Sequence, residues 1–480
     1  MDPSLAQHAA QLIWQLAQQP VGALDQLILD PTPTPTPTPT PSLPSLFHVG
    51  PLASATIGVQ ALAAAQIWQA RTGRSQTVTV EQRQALAMFR SERYLRVNGE
   101  TVDQDLSPLF GYYPVANGQW VQLHTNFAHH RDGVLRLLGC EPNREAVAAA
   151  LAGWSAQQLE TRLAEAGLAG SAIRSESQWQ RHAHAGALAG LPLFEIERIG
   201  DAPPEAIGRE LSPSAPPSAP LSGVRVLDLS RVIAAPVAAR TLAQHGADVL
   251  AIGAEHLANV LPFVIDTGRG KRSAFIDLRD TAGQQSLLSL VRDSDVFIQA
   301  YRPGSLANKG FSPQALARVR PGLVYVTLSA FGHVGPWAWR RGFDSLVQSA
   351  TGIAHAEGEA AGLNGPGKLP CQALDHATGY LAAFGAMVAL QRRAQEGGSW
   401  LVRVSLAQTA RWLQGMGRVV DGHELPDLTD DEVAPWLQTQ DSAFGRVTAI
   451  APAEQMSETP PAFNLPPAPA GTHAAAWLVA

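Results

Sequence analysis

The chain reads as an α/β protein, with a Rossmann-like doubly wound parallel sheet domain, a smaller α+β domain and long helices linking them. Three observations predict this. Past residue 220 five short β-branched runs follow one another: "VRVLDLS" from 224, "ADVLAIG" from 247, "SAFIDL" from 273, "DVFIQAY" from 295 and "LVYVTLSAFG" from 323. Several are separated by helix-like stretches such as "APVAARTLAQHG", "TAGQQSLLSLVRDS" and "SPQALARVR". Strands alternating with amphipathic helices need crossover connections, and crossovers make a parallel sheet. Finally, 480 residues allow two or three cores, and two proline-rich breaks divide them.

In order along the chain, residues 1–30 form a short helical segment. Residues 31–44 contain "PTPTPTPTPTPS", in which alternate prolines forbid helix and leave an extended spacer. Residues 45–210 open on a small-residue apolar helix. Residues 211–220, within "LSPSAPPSAPLSG", are a second linker. Residues 221–413 are the large domain and residues 414–480 a closing segment.

The composition excludes several classes of function. Net charge is −6 and the basic residues are scattered, so neither nucleic acid nor an anionic membrane is expected as partner. The start "MDPSLAQHAAQ" is acidic and lacks the apolar core of a secretory signal. The most apolar stretches are too short or too polar to span a bilayer. Two cysteines, Cys140 and Cys371, are too few for a disulfide framework or a zinc cluster. No metal site is expected, and a cytoplasmic location fits. The first strand runs into "SRVIAAP", without the glycines that let a pyrophosphate approach a helix, so NAD is discounted.

An internal repeat supplies the strongest functional clue. The stretch from Pro51, "PLASATIGVQALAAAQIWQARTGRSQTVTVEQRQALAMF", lies beside that from Asp375, "DHATGYLAAFGAMVALQRRAQEGGSWLVRVSLAQTARWL", without a gap. Each reads as apolar helix, glycine turn, V-x-V strand and second helix. Pro51 starts a helix but cannot ionise, so only the second copy keeps a carboxylate at the helix start. Asp375 is expected to act as the N-cap, held ionised by the helix dipole.

The segments "PLSGVRVLDLSRVIAAPVAARTLAQHGADVLAI", "GRGKRSAFIDL", "FIQAYRPGSLANKGFS", "LVYVTLSAFGHVGP", "RRGFDSLVQSATGI" and "LDHATGYLAAFGAMVALQRR" resemble the family III CoA transferases, the formyl-CoA, carnitine-CoA and bile-acid-CoA transferase group. Residues 45–210 resemble a degenerate partial copy holding the family's small domain, with a D/N-G turn in "FGYYPVANGQWVQLHTN". Residues 414–480 resemble its C-terminal return segment, so the order is rearranged and partly duplicated.

The resemblance implies that Asp375 is the nucleophile, attacking an acyl-CoA to give an anhydride and then an aspartyl-CoA thioester that passes CoA to a second carboxylic acid. It implies that Val232, Ile233 and Lys271 bind CoA, with Arg272 and Arg341 as further cationic contacts. Nothing is bound permanently, CoA being a substrate. Its partners are acyl-CoA and carboxylate substrates, and its assembly either a homodimer or an intramolecular pseudo-dimer. Backbone N–H groups at the start of the Asp375 helix are expected to serve the oxyanion. The chain lacks the P-x-x-G-D-x-x-R stretch usual after "GADV", which leaves Lys271, Arg272 and Lys309 for CoA phosphates.

Three other functions compete. A non-catalytic relative would bind CoA esters or a partner protein. A 2-methylacyl-CoA racemase would need His355 or His376 as base, because Phe343 stands where that branch has histidine. A cysteine nucleophile would be Cys371.

Overall fold

A computed structural model describes residues 4–30, 43–209 and 217–478. The alternating part of the Pro-Thr spacer and residues 211–216 of the second linker lie outside the described residues.

The β-branched runs form one seven-stranded sheet. Its strands run in the order Lys271–Phe275, Asp248–Gly253, Arg225–Leu229, Val296–Gln299, Val324–Ser329, Ser399–Ser405 and Phe194–Gly200. The first six are mutually parallel and the last is antiparallel. Numbered by sequence, the parallel strands read 3-2-1-4-5-6, the doubly wound order of the Rossmann fold. The order reverses between Arg225–Leu229 and Val296–Gln299. Just outside their carboxyl ends, neighbouring connections leave in opposite directions and a crevice opens. The edge strand Phe194–Gly200 comes from before the second linker, so the large sheet draws on both halves of the chain.

The smaller α+β unit is an antiparallel sheet of Gly111–Pro114, Trp120–Leu123 and Gly170–Ala172, covered by Ala128–Leu138, Arg144–Leu151 and Ala156–Glu165. Its first turn carries Asn117 and Gly118 with φ of 60° and 67°, the left-handed geometry for which Asn-Gly is suited.

The two stretches aligned in the sequence fold into the same order of elements. Val49–Thr72 and Ala373–Glu396 are both 24-residue helices. Their N-caps, His48 and Gln372, have φ/ψ of −74°/61° and −77°/60°. Each helix is followed by a C-cap glycine of positive φ, Gly73 or Gly397. Val78–Val80 and the corresponding part of Ser399–Ser405 are strands, and Gln82–Met88 and Leu406–Gly415 are helices. The two long helices pack on each other in the main core. Ala373–Glu396 is long and apolar enough to cross a membrane, yet its most apolar window is entirely buried inside the protein.

The closing segment ties the parts together. Leu437–Ser442 and Gly445–Ile450 form a hairpin that pairs with Arg96–Val97, and Glu454–Met456 pairs with Val78–Val80. The tail then returns over the large sheet, where the His473 N–H donates to Ser273 O at 2.7 Å.

Candidate active site

A cavity of about 690 Å³ opens at the reversal point of the sheet. Residues that follow the two central strands line it, Ser230–Ala235 after one and Ala300–Pro303 after the other. The loop 340–343 and Asp375 complete the lining, together with His129 and His130 of the small unit. Val232 and Ile233 therefore stand beside Asp375. Val232 has φ of +73°, a left-handed conformation that is rare for a β-branched residue and is tolerated where a loop must turn sharply at a site.

Close packing fixes how the Asp375 helix meets this loop. A Cβ on Gly379 would lie 2.4 Å from the Ala234 carbonyl oxygen and 2.9 Å from Val237 Cβ, so only glycine lets the helix approach Ala234–Gln244. The corresponding residue of the first copy is Ala55.

The local geometry of Asp375 differs from the expected cap. The N-cap is Gln372, and Asp375 is the third residue of the helix, 7% exposed. Its own N–H donates to Asp344 Oδ2 at 2.9 Å. Asp344, the buried first residue of Asp344–Thr351, thus caps the helix from outside. This donor is thereby engaged, and an oxyanion would have to be served by other N–H groups of the helix start. The expected ionised state is corrected too. Burial pushes the Asp375 carboxyl well above the usual range, and the charges of Asp344 and Glu92 push it further. A helix dipole contributes only partial charges, whereas two nearby carboxylates and loss of water act against ionisation directly. Burial likewise raises Asp344 to about 6.

Glu92 comes from the turn after Gln82–Met88, in the first half of the chain. Its Oε2 lies 3.3 Å from His376 Nε2, and the His376 ring stacks on Phe89 with centroids 5.4 Å apart. His376 is wholly buried behind Asp375, and His355 is exposed beside Glu359. Neither lines the cavity. Cys371 is buried, and burial pushes its thiol up so that it stays protonated.

The expected CoA cations divide. Lys271 is buried and donates to Asp228 Oδ2 and Pro236 O, both at 2.8 Å. Arg272 is bound to Asp248 at 2.8 Å and to Ala476 O at 2.6 Å. Both line a smaller neighbouring cavity of about 100 Å³ rather than the Asp375 cavity, because the ion pairs hold them against the sheet. Arg341 does line the Asp375 cavity. So do Arg231 and Arg302, which sequence reasoning missed, and Lys309. Arg302 lies in the "RPG" motif and Arg231 one residue before Val232, so adjacency to recognised motifs was the available signal. Asp344 lies inside the "RRGFDSLVQSATGI" motif and so had the same signal, whereas Glu92 carried none.

Residues 221–425 match the profile of CoA-transferase family III. The chain is 31% identical over 273 residues to the acetyl-coenzyme A transferase nodX of Hypoxylon pulicicidum, covering 56% of this chain and 46% of that protein. It is 28% identical over 415 residues to an acyl-CoA transferase of Gibberella moniliformis, covering 75% and 72%. It is 32% identical over 187 residues to the succinyl-CoA:glutarate CoA-transferase of Mus musculus, covering 36% and 42%. The chain spans about half the length of most of the curated relatives it matches. Residues 221–425, which bring Val232, Ile233 and Asp375 to one cavity, are the part of the chain that resembles CoA-transferase family III.

Proposed function

We propose that this chain is an acyl-CoA:carboxylate CoA transferase that works through covalent intermediates on Asp375. The observation that carries the reading is the placement of Asp375 on a large cavity at the switch point of a doubly wound sheet, beside the strained Val232–Ile233 loop. An Asp375 oxygen attacks the thioester carbonyl, forming a mixed anhydride and releasing CoA thiolate. The thiolate attacks the aspartyl carbonyl, giving an aspartyl-CoA thioester and the free donor acid. The acceptor carboxylate attacks that thioester to form a second anhydride, and the released thiolate attacks its acceptor carbonyl. CoA leaves on the acceptor acid, and Asp375 is regenerated. Each step uses an activated acyl group in place of an unactivated acid.

Only ionised Asp375 attacks, so removal of a proton precedes the chemistry. Burial, Asp344 and Glu92 all oppose that ionisation in the free protein. Packing of the two repeated units inside one chain favours the intramolecular pseudo-dimer over a homodimer.

Incubation with an acyl-CoA followed by hydroxylamine tests the reading. It predicts a hydroxamate on the peptide containing Asp375. CoA binding without any adduct would select the non-catalytic relative. The racemase is favoured by one observation, that His129 and His130 face the same cavity. Exchange of the α-hydrogen in deuterated water without CoA transfer would select it.

A further inference from the structure

The helix that carries Asp375 has no side-chain cap of its own, because Gln372 makes no such hydrogen bond. Groups at a helix start need partners, and here they come from outside the helix. Asp344 accepts the Asp375 N–H, and Gln348 donates to Asp344 while accepting the Leu369 N–H at 2.9 Å. Both lie on the neighbouring helix Asp344–Thr351. The Pro370 carbonyl, two residues before the N-cap, accepts from Arg90 Nε at 3.0 Å. Arg90 comes from the other half of the chain.

Arg90 belongs to the turn that follows Gln82–Met88, and each of Phe89–Glu92 touches the half that carries Asp375. Phe89 stacks on His376 and Tyr380, with centroids 5.4 and 6.0 Å away. Ser91 Oγ donates to Asp266 Oδ2 at 2.6 Å, and Asp266 is itself locked between Arg240 at 2.7 Å and Arg269 at 2.6 Å. Glu92 meets His376 at 3.3 Å. Arg90, 3% exposed, also donates its Nη1 to Asp427 of the closing segment. The turn thus grips the start of the Asp375 helix twice, at Pro370 before it and at His376 within its first turn.

The grip is not returned. With the same offset that pairs Pro51 with Asp375, Arg90 and Glu92 correspond to Gln414 and Met416, and Pro370 to Leu46. Gln414 Nε2 donates to the Thr351 carbonyl at 2.9 Å, and the Leu46 carbonyl accepts from the Val419 backbone N–H at 2.8 Å. A guanidinium therefore holds the approach to the carboxylate, whereas backbone alone holds the approach to Pro51. Had the contact served only to fold this unit, both copies would have use for it.

We propose that Arg90 is a positioning residue for Asp375, supplied by the copy that has lost the carboxylate. It holds residues 370–372 still while the Asp375 carboxyl passes between anhydride and thioester. The catalytic consequence rests on the Asp375 reading, and the positioning does not. A lysine ammonium lacks the planar fork that reaches the Pro370 carbonyl and Asp427 together.

The full chain is compared with Arg90→Gln, with Arg90→Lys, and with Gln414→Met as the matched change in the other copy. Adduct formation from an acyl-CoA, per folded molecule, should slow at least about tenfold in Arg90→Gln while CoA affinity stays within about twofold. Arg90→Lys, which keeps the buried charge, should show the same split at smaller size, and it carries the comparison if Arg90→Gln does not fold. Gln414→Met should slow the reaction less than about twofold. An unchanged rate at Arg90, a parallel loss of rate and CoA affinity, or equal slowing in Gln414→Met overturns the proposal. Hydrogen exchange needs no turnover. Residues 369–378 should lose protection at least about tenfold in the Arg90 variant and keep it in Gln414→Met, and unchanged protection at Arg90 also overturns the proposal. If the unaltered protein forms no adduct with any acyl-CoA, the Asp375 reading fails, while exchange still decides whether Arg90 holds the helix start.

Discussion

The helix starting at Val49 and the helix starting at Ala373 share length, cap geometry and the strand and helix that follow, yet differ at the third residue, Pro51 against Asp375. The first start is packed: a Cβ on Gly50 would meet the Gln82 side chain at 2.6 Å. The second faces a cavity and is surrounded by carboxylates. A proline there shows that the helix forms without an acidic side chain, since its missing N–H is one that a first turn does not use. Asp375 is thus a carboxylate that the architecture does not require and that its surroundings disfavour. Groups kept at such a cost are candidates for chemistry.

The largest effect that would sharpen this contrast is on activity. Asp375→Asn should lower CoA transfer at least about a thousandfold, since an amide neither attacks nor forms the anhydride. Its unfolding temperature at neutral pH should not fall, because an amide of the same size replaces a carboxyl whose ionisation its surroundings already oppose.

Next comes packing. Gly379→Ala should cost about 1–3 kcal/mol in urea unfolding, because the Ala234 carbonyl must retreat. The reciprocal change in the first copy, Ala55→Gly, should cost only about 1 kcal/mol, from lost helix propensity. Equal costs would mean that the second helix is not held against Ala234–Gln244 as described.

A smaller effect lies in pH. The folded carboxyls of Asp375 and Asp344 titrate above their unfolded range, so the stability they contribute is complete below the unfolded pKa. It is lost as pH rises through the folded values, about 6 for Asp344. The unfolding temperature should therefore fall between about pH 4 and 7, and fall less in Asp375→Asn. Glu92→Gln removes one of the charges that oppose ionisation of Asp375. The acidic limb of adduct formation should move to lower pH, and an unmoved limb would remove Glu92 from the site. Smallest of all, Pro51→Asp should change stability by less than about 1 kcal/mol and give no adduct at residue 51.

The sheet was legible because each of its parallel strands is a β-branched run with its own turn signals, so local pattern and global topology agree. The seventh strand was not: Phe194–Gly200 joins the large sheet across a linker, and nothing local states a strand's partner. At the site, Asp375 was legible through its contrast with Pro51, and Val232 and Ile233 through the family motif. Its charge state was not, because Asp344 and Glu92 lie 31 and roughly 280 residues away in sequence. The same holds for Lys271 and Arg272, whose ion pairs with Asp228 and Asp248 are made across the sheet.

The most direct test of the account follows oxygen. In the proposed cycle the acceptor acid leaves one carboxylate oxygen on Asp375 at every turnover. With an acceptor labelled with oxygen-18, the peptide containing Asp375 should gain the label, and so in later cycles should the released donor acid. CoA transfer that proceeds while Asp375 stays unlabelled would contradict the covalent role assigned to it.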